Sequence, residues 1–165
     1  LVRIDDRLIH GQVLVNWVRA LALSRLVIVD DGLAGDALAC SILEAIVPRH
    51  VSLWIGSAAG LKYATFPEPV DKQLVLVASP FGALRLYDAG MHYLALNVGC
   101  LGSTNDRVRL FPQVSLTRAE YDILVTLSLR GVTVISQALP SGPVVRWPEI
   151  AARGSRLLLR QVGGR

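Results

Sequence analysis

Residues 1–29 of the chain read LVRIDDRLIHGQVLVNWVRALALSRLVIV. A short apolar run ends in the charged group at residues 5–7, and a second apolar run begins at residue 26. Between them, apolar side chains recur every three or four positions, which is the spacing of one helix face. We therefore predict a strand, a helix over residues 11–21 and a second strand. The predicted apolar face consists of Val13, Leu14, Trp17, Val18 and Leu21.

The same alternation continues along the chain. Residues 74–77, LVLV, are apolar throughout, as in a strand that is covered on both faces. Thr117 and Glu120 have the spacing of a capping box, which predicts a helix from there to about Gly131. These alternating elements predict an α/β fold with an open, mostly parallel sheet and helices on both faces. Further strands are predicted at residues 51–55, 93–96 and 132–136, and further helices at 36–47, 57–64 and 81–89.

Polar segments follow several of the predicted strands. In open sheets of this kind, ligands bind beyond the carboxyl ends of the strands. Residues 100–112 form the longest predicted irregular segment, and long polar loops are frequently functional. We expect the loops after the first, fourth and fifth strands to meet at one shallow site, with Ser79 and Asn97 on its rim. The polar segments in question are residues 5–10, 30–32, 79–80 and 97–102.

Composition narrows the class of protein. The 165 residues are 52% hydrophobic and 18% charged, which predicts one folded domain over residues 1–165 and excludes a disordered chain. The apolar runs are broken by Arg, Asp, Gly or Pro well short of the ~20 residues of a membrane span, and residues 3–7 are too charged for a signal peptide. We therefore expect a cytoplasmic protein. The net charge of +4 is scattered, which argues against a nucleic-acid partner, and the two cysteines and three histidines are too widely spaced for a metal site.

The densest polar cluster lies between the first strand and the first helix. His10 directly precedes the predicted helix, where unpaired backbone N–H groups favour an anion. The N–H groups of Gly11 and Gln12 are the candidates. A phosphoryl group on the imidazole would place a charge of about −1.5 to −2 in this position.

Charged neighbours complete the candidate site. Arg7, and also Arg3, could donate charge-assisted hydrogen bonds to a phosphoryl group. Asp5 or Asp6 could accept the proton of one ring nitrogen of His10 and so orient the ring. Asp5 and Asp6 do not by themselves predict a metal site, because the sequence places no third hard ligand beside them.

The string VRIDDRLIHGQV at residues 2–13 resembles the active-site segment of a bacterial protein family. The family comprises the IIB subunits of the mannose/fructose/sorbose group of the phosphoenolpyruvate-dependent sugar phosphotransferase system. The resemblance extends over about residues 1–140. Supporting matches are the segment Ile28-Val29-Asp30-Asp31, the turn Asn97-Val98-Gly99 and the segment at residues 114–117.

The resemblance implies a fold and a reaction. The fold would be a mostly parallel sheet of about seven strands. His10 would accept a phosphoryl group from a phosphohistidine of a IIA domain and pass it to a sugar held by the membrane subunits IIC and IID during uptake. Asn97 and Gly99 would lie close to the phosphoryl group. The resemblance implies no metal or organic cofactor. It implies that the protein lies at the inner face of the membrane, held there by its partners. A homo-oligomer is compatible with the resemblance.

Two segments depart from the family pattern. Gly99-Cys100-Leu101 stands where the family commonly has Gly-Gly-Met, beside the expected site. The arginine-rich residues 143–165 do not resemble the family closely, and we expect them to form a frayed tail with a short helix near residues 149–153.

Three other functions compete with this one. A regulatory phosphorelay protein would use the same His10 chemistry without serving a sugar permease, and the sequence leaves that alternative open. A dinucleotide-binding enzyme would need G-x-G-x-x-G after the first strand, where this chain has Asp-Asp-Arg and a single glycine. A binding module without phosphotransfer is disfavoured by the presence of both His10 and Arg7.

Overall fold

The computed structural model describes residues 1–61, 64 and 72–158. The strands in these residues are β1 (Val2–Asp5), β2 (Arg25–Val29), β3 (Ser52–Gly56), β4 (Gln73–Val77), β5 (Ala95–Cys100), β6 (Val108–Phe111), β7 (Val114–Leu116), β8 (Thr133–Ser136) and β9 (Val145–Arg146). Seven of these described strands form one sheet in the order β3–β2–β4–β1–β5–β8–β9, and β6 and β7 form a separate antiparallel pair. All neighbours in the sheet are parallel except β8 and β9.

Helices cover both faces of the sheet, which confirms the predicted α/β class. They are α1 (a π-helical Val13–Trp17 continued by Val18–Ala20), α2 (Asp31–Ala34), α3 (Ala37–Ile46), α4 (Ala58–Leu61), α5 (Pro80–Asp88), α6 (Arg118–Leu129) and α7 (Trp147–Leu158). Helices α5, α6 and α7 share one apolar core with the sheet, and α1 packs on the opposite face. No helix in the described part of the chain is both long and apolar enough to cross a membrane.

Side chains of the central strand β1 divide between the two faces. Val2 and Ile4 belong to the core beneath α5 and α6. Arg3 and Asp5 alternate with them and therefore point to the face that carries α1. Both charged side chains are nonetheless completely buried. This apolar–charged alternation in a strand that is buried on both faces sets β1 apart from β2 and β4, whose described residues are almost entirely apolar.

The direction in which successive strand connections run reverses between β1 and β5. From β1 the chain moves outward to β2, and from β5 it moves toward β8 on the other side. Adjacent strands whose connections leave in opposite directions open a crevice at their carboxyl ends, which is where ligands bind in such sheets. A register shift lies at this point, because Ile4 pairs with Val98 whereas Asp5 pairs with Cys100.

Two expectations about the second half of the chain are wrong. The segment at 100–112 is not irregular throughout, since β6 begins at Val108 and pairs with β7. The expected frayed tail is a helix as far as Leu158, because Ile150, Gly154 and Leu158 recur every four residues and bury one face of α7. Residues 159–165 of that tail, and residues 62–63 of the helix expected at 57–64, lie outside the described residues.

Candidate functional site

The loop from β1 to α1 places His10 at a helix N-terminus. A turn forms first, as the backbone N–H of Leu8 donates to the Asp5 carbonyl at 2.9 Å. Helical residues begin at Gly11, and the His10 carbonyl accepts the N–H groups of Val13 and Leu14. The first N–H groups of a helix have no partner within it. The His10 imidazole therefore lies beside a local excess of positive backbone charge.

Both ring nitrogens of His10 have a partner. Arg7 Nη2 donates to Nε2 at 2.8 Å, and the Leu8 carbonyl accepts from Nδ1 at 3.2 Å. Leu8 has φ of 50°, an uncommon conformation for a residue other than glycine, and such residues cluster at functional sites. The imidazole is 15% exposed. A phosphoryl group that bonds to either nitrogen would replace one of these two contacts.

Arg7 lies at the edge of the ring and at the surface. Its side chain is 52% exposed, and Nη2 also lies 3.4 Å from Oε1 of Gln12. The structure thus brings Arg7, His10 and Gln12 together at the start of α1, as the sequence predicts. A guanidinium with this exposure can turn toward a phosphate oxygen without disturbing the core.

Asp5 lies close behind the ring without a hydrogen bond to it. Its Oδ1 accepts the Arg7 backbone N–H at 3.3 Å and lies 3.8 Å from Nδ1 of His10. The Leu8 carbonyl already occupies the direction of that ring nitrogen. An aspartate was expected to accept the ring proton. Instead, the buried carboxylate of Asp5 lies just behind the ring, and the Leu8 carbonyl accepts from the ring nitrogen.

Asp6 has a different role from the one expected. Its Oδ2 accepts the backbone N–H of Gly102 at 2.6 Å, and its own N–H donates to the Cys100 carbonyl. These bonds join the loop after β1 to the loop after β5. Asp6 therefore holds the two walls of the crevice together and does not orient the imidazole.

Arg3 cannot bind a phosphoryl group at the surface. Its guanidinium is completely buried, with Nη2 2.9 Å from Oδ2 of Asp5 and Nη1 2.8 Å from the Gln137 carbonyl. Burial also lowers the pKa of Arg3, although the neighbouring Asp5 carboxylate opposes that effect. The expected role of Arg3 in holding phosphate oxygens is wrong.

Asn97 lies in the core beneath the crevice, whereas Gly99, although buried, lines the polar groove that opens beside Arg7. Asn97 is completely buried, and its amide exchanges two hydrogen bonds with the backbone of Gln137. Its predicted contact with a phosphoryl group is not possible in this arrangement, because the side chain has no exposed surface. A Cβ on Gly99 would lie only 1.9 Å from the Cζ of Arg3, so that glycine makes room for the buried guanidinium.

Ser79 lies away from the crevice. Its hydroxyl accepts the N–H of Gly82 at the start of α5, on the opposite face of the sheet from α1. It lines a separate hollow beside Asp30. Of the three loops expected to meet, those after β1 and β5 do so, and the loop after β4 does not.

A polar groove of about 610 Å³ opens beside Arg7. Sequence reasoning missed Arg109 and Ser103 as lining residues, because the β6–β7 hairpin that brings them there was not predicted. The polar character of residues 100–112 was the signal in the sequence from which these two lining residues could have been predicted. Cys100 also lines the groove. Burial, and to a smaller extent the negative charge of Asp6, raises the pKa of the Cys100 thiol. The wall of the groove includes Arg7, Gln12, Cys100, Gly102, Ser103 and Arg109.

The groove does not resemble a cation site. Among the described residues, Asp5, Asp6 and Cys100 bring three potential ligand atoms within 4.8 Å of one another. However, Oδ2 of Asp5 is bound to Arg3 and Oδ2 of Asp6 to a backbone N–H. Arg7 lies alongside as a further positive charge. This arrangement favours an anion over a metal ion.

The chain is similar to known proteins over most of its length. Residues 1–157 match the family described as the PTS system sorbose subfamily IIB component. The chain is 31% identical over 144 residues to the PTS system fructose-specific EIIB component of Bacillus subtilis, covering 86% of this chain and 88% of that one. It is 25% identical to the mannose-specific EIIAB component of Escherichia coli (strain K12), covering 93% of this chain and 48% of that one.

A solved structure supports the same assignment. The IIBSor domain of the sorbose permease from Klebsiella pneumoniae superposes with a TM-score of 0.83 at 25% identity, covering 95% of this chain and 96% of that one. The family match includes α7 almost to its end, so the resemblance reaches beyond residue 140. The chain therefore belongs to the sorbose-subfamily IIB components of the sugar phosphotransferase system, a family of phosphotransferases in sugar transport.

Proposed function

We propose that His10 accepts a phosphoryl group from a phosphohistidine of a IIA domain and passes it to a sugar bound by IIC and IID membrane subunits. The observation that carries this proposal is the position of the His10 ring. It lies at the switch point of the sheet, at a helix N-terminus, and between Arg7 and the Leu8 carbonyl. Family membership supports the general role, and the residue assignment rests on this geometry.

The reaction requires two phosphoryl transfers. In the first, the N–P bond of the donor phosphohistidine breaks while a His10 N–P bond forms, and the donor ring recovers its lone pair. In the second, the His10 N–P bond breaks while a sugar hydroxyl oxygen bonds to phosphorus, and the hydroxyl proton passes to the released imidazole. Arg7 and the N–H groups of Gly11 and Gln12 would stabilise the transferring charge, because phosphoryl transfer depends mainly on positioning and electrostatics.

Labelling with phosphoenolpyruvate tests the acceptor. Incubation with labelled phosphoenolpyruvate, the general phosphotransferase proteins and a IIA domain should give acid-labile label on the wild-type chain. His10→Ala should take up none. His50→Ala and His92→Ala are controls that should label normally, since both residues are exposed and far in sequence from the site. Undiminished label in His10→Ala would refute the assignment.

A second assay addresses the fate of the phosphoryl group. The labelled chain is mixed with membrane vesicles that contain the IIC and IID subunits and with candidate hexoses. Transfer of label to a sugar supports service to a permease. Label that stays on the protein with every sugar and every IIC/IID pair would instead support the regulatory relay.

A further inference from the structure

We infer that Arg3 is a positioning residue for phosphoryl transfer, acting through Asp5 on the loop that carries Arg7 and His10. The inference rests on the proposed function of His10. Arg3 touches neither the ring nor the groove. Its effect would come from fixing the carboxylate that lies behind the ring.

The first step concerns what holds Asp5 in place. Both side chains of the Arg3–Asp5 pair are 0% exposed, and Nη2 of Arg3 donates to Oδ2 of Asp5 at 2.9 Å. This bond leaves Oδ1 directed toward the site, where it accepts the Arg7 N–H and lies 3.8 Å from Nδ1 of His10. Without Arg3, the buried carboxylate would keep only the half-exposed Arg7 guanidinium, whose Nε lies 3.9 Å from Oδ1, as a cationic partner among the described residues.

The second step concerns what holds Arg3. Its guanidinium donates to the Gln137 carbonyl at 2.8 Å and to the Ala138 carbonyl at 3.3 Å. The Trp17 ring of α1 lies 4.7 Å from Cζ, and Trp17 Nε1 donates to the same Ala138 carbonyl. Gly99 provides the space on β5. Arg3 thus links β1 to α1 and to the segment after β8 with one planar group.

The buried Arg3–Asp5 pair is better explained by the reaction than by stability. Replacement of a buried ion pair by apolar residues of similar volume is often neutral or stabilising, so stability alone gives no reason to bury two charges here. Nε of Arg3 has no hydrogen-bond partner among the described residues, which is a further cost of the arrangement. The arrangement gains a fixed negative oxygen beside the ring nitrogen that an apolar pair would not supply.

Transfer kinetics from phosphorylated IIA test the inference. Arg3→Lys keeps the charge but loses the planar fork. The double variant Arg3→Met with Asp5→Asn removes both charges and avoids an orphaned carboxylate. Both should fold, and both should lower kcat at least tenfold while leaving KM for phosphorylated IIA within twofold, because Arg3 lies beneath the surface. Leu124→Ala, which opens a cavity on the opposite face of the sheet, is the control for lost stability and should keep the wild-type kcat.

The outcomes separate this inference from the proposed function. A wild-type kcat in the double variant would show that the pair is merely structural and would overturn the inference, as would an unchanged kcat in Arg3→Lys if the double variant did not fold. A rise in KM alone would also overturn it. Failure of the wild-type chain to accept label on His10 would instead refute the proposed function. Ring-nitrogen NMR signals of His10 that shift in both variants and not in Leu124→Ala would support the positioning role.

Discussion

Two arginines four positions apart in the sequence have opposite environments. Arg3 is completely buried, whereas the Arg7 side chain is 52% exposed. The strand period explains part of the difference, because Arg3 lies within β1 and Arg7 lies in the turn beyond it. The same residue type therefore binds the framework at one position and lies exposed beside the His10 ring at the other.

Arg7→Ala should separate chemistry from stability. Arg7 contributes little buried surface, so the free energy of unfolding should change by no more than ~0.5 kcal/mol. The rate of phosphoryl transfer should fall by about tenfold to a hundredfold, because a charged donor beside the reacting ring is lost. Arg118→Ala is the matched control, since Arg118 is 47% exposed and pairs with Asp122 on α6. Equal transfer rates in the two variants would contradict the role of Arg7.

At the scale of the element, local caps set most of the helix boundaries. Asp30, Asp36 and Ser79 each accept a backbone N–H at the start of a helix. The predicted capping box at Thr117 and Glu120 is present in full, and Glu120 additionally binds Arg107 through both carboxylate oxygens. Each of these caps joins residues three positions apart, and the sequence predicts the capping box of α6 directly. The caps at Asp30 and Ser79 were not among the predictions.

Tyr93 links α5 to the chain that enters β5, and its hydroxyl gives that contact a pH dependence. It donates to the Ala83 carbonyl at 2.8 Å, and burial raises the pKa of Tyr93 above its ordinary value of 10.0. Because the folded state holds the proton more tightly, this contribution to stability is complete below pH 10 and is lost as the pH rises toward the raised pKa. Tyr93→Phe should cost about 1 kcal/mol at pH 7 and lose less stability than wild type above pH 10.

Urea denaturation between pH 7 and pH 11.5 measures both effects of Tyr93→Phe. Tyr87→Phe is the control at pH 7, since the Tyr87 hydroxyl makes an exposed 3.5 Å contact with the Arg130 carbonyl. It should change the free energy of unfolding at pH 7 by less than Tyr93→Phe does. The contact would be disproved as a source of alkaline sensitivity if Tyr93→Phe and wild type lost stability in parallel above pH 10.

At the scale of the whole molecule, α7 closes the core that lies on the face opposite His10. Tyr121 of α6 packs against it, and the Tyr121 hydroxyl donates to the Ala151 carbonyl at 3.0 Å. A Cβ on Gly154 would lie 2.2 Å from the Tyr121 ring. The absence of a side chain at Gly154 therefore allows α7 to pack closely against α6.

Gly154→Ala tests this fit, because two effects oppose each other. Alanine favours a helix over glycine by up to ~1 kcal/mol, whereas overpacking of a fitted core costs ~1–3 kcal/mol. We expect net destabilisation of about 1 kcal/mol in chemical denaturation. Gly35→Ala is the control and should be nearly neutral, since its nearest neighbour to a new Cβ lies at 3.6 Å. A more stable Gly154→Ala protein would show that α7 does not pack on Tyr121 in this way.

Features that depend on near neighbours follow from the sequence alone. Apolar periodicity predicts the α/β class, the Thr117–Glu120 capping box predicts the start of α6, and His10 is correctly placed at the entry to the first helix. Each of these depends on residues a few positions apart, and hydrophobic spacing encodes such features directly.

Tertiary contacts determine which polar groups remain available to a ligand. Arg3 binds Gln137 across 134 positions, Asp6 binds Gly102 across 96, and Asn97 binds Gln137 across 40. The sequence presents all three as candidate residues of the site around His10, because their partners lie far along the chain. The parallel sheet brings those partners together at the carboxyl ends of β1, β5 and β8. There the buried Arg3 and Asn97 must find hydrogen bonds and are removed from the site, whereas Asp6 joins the two loops that form the groove.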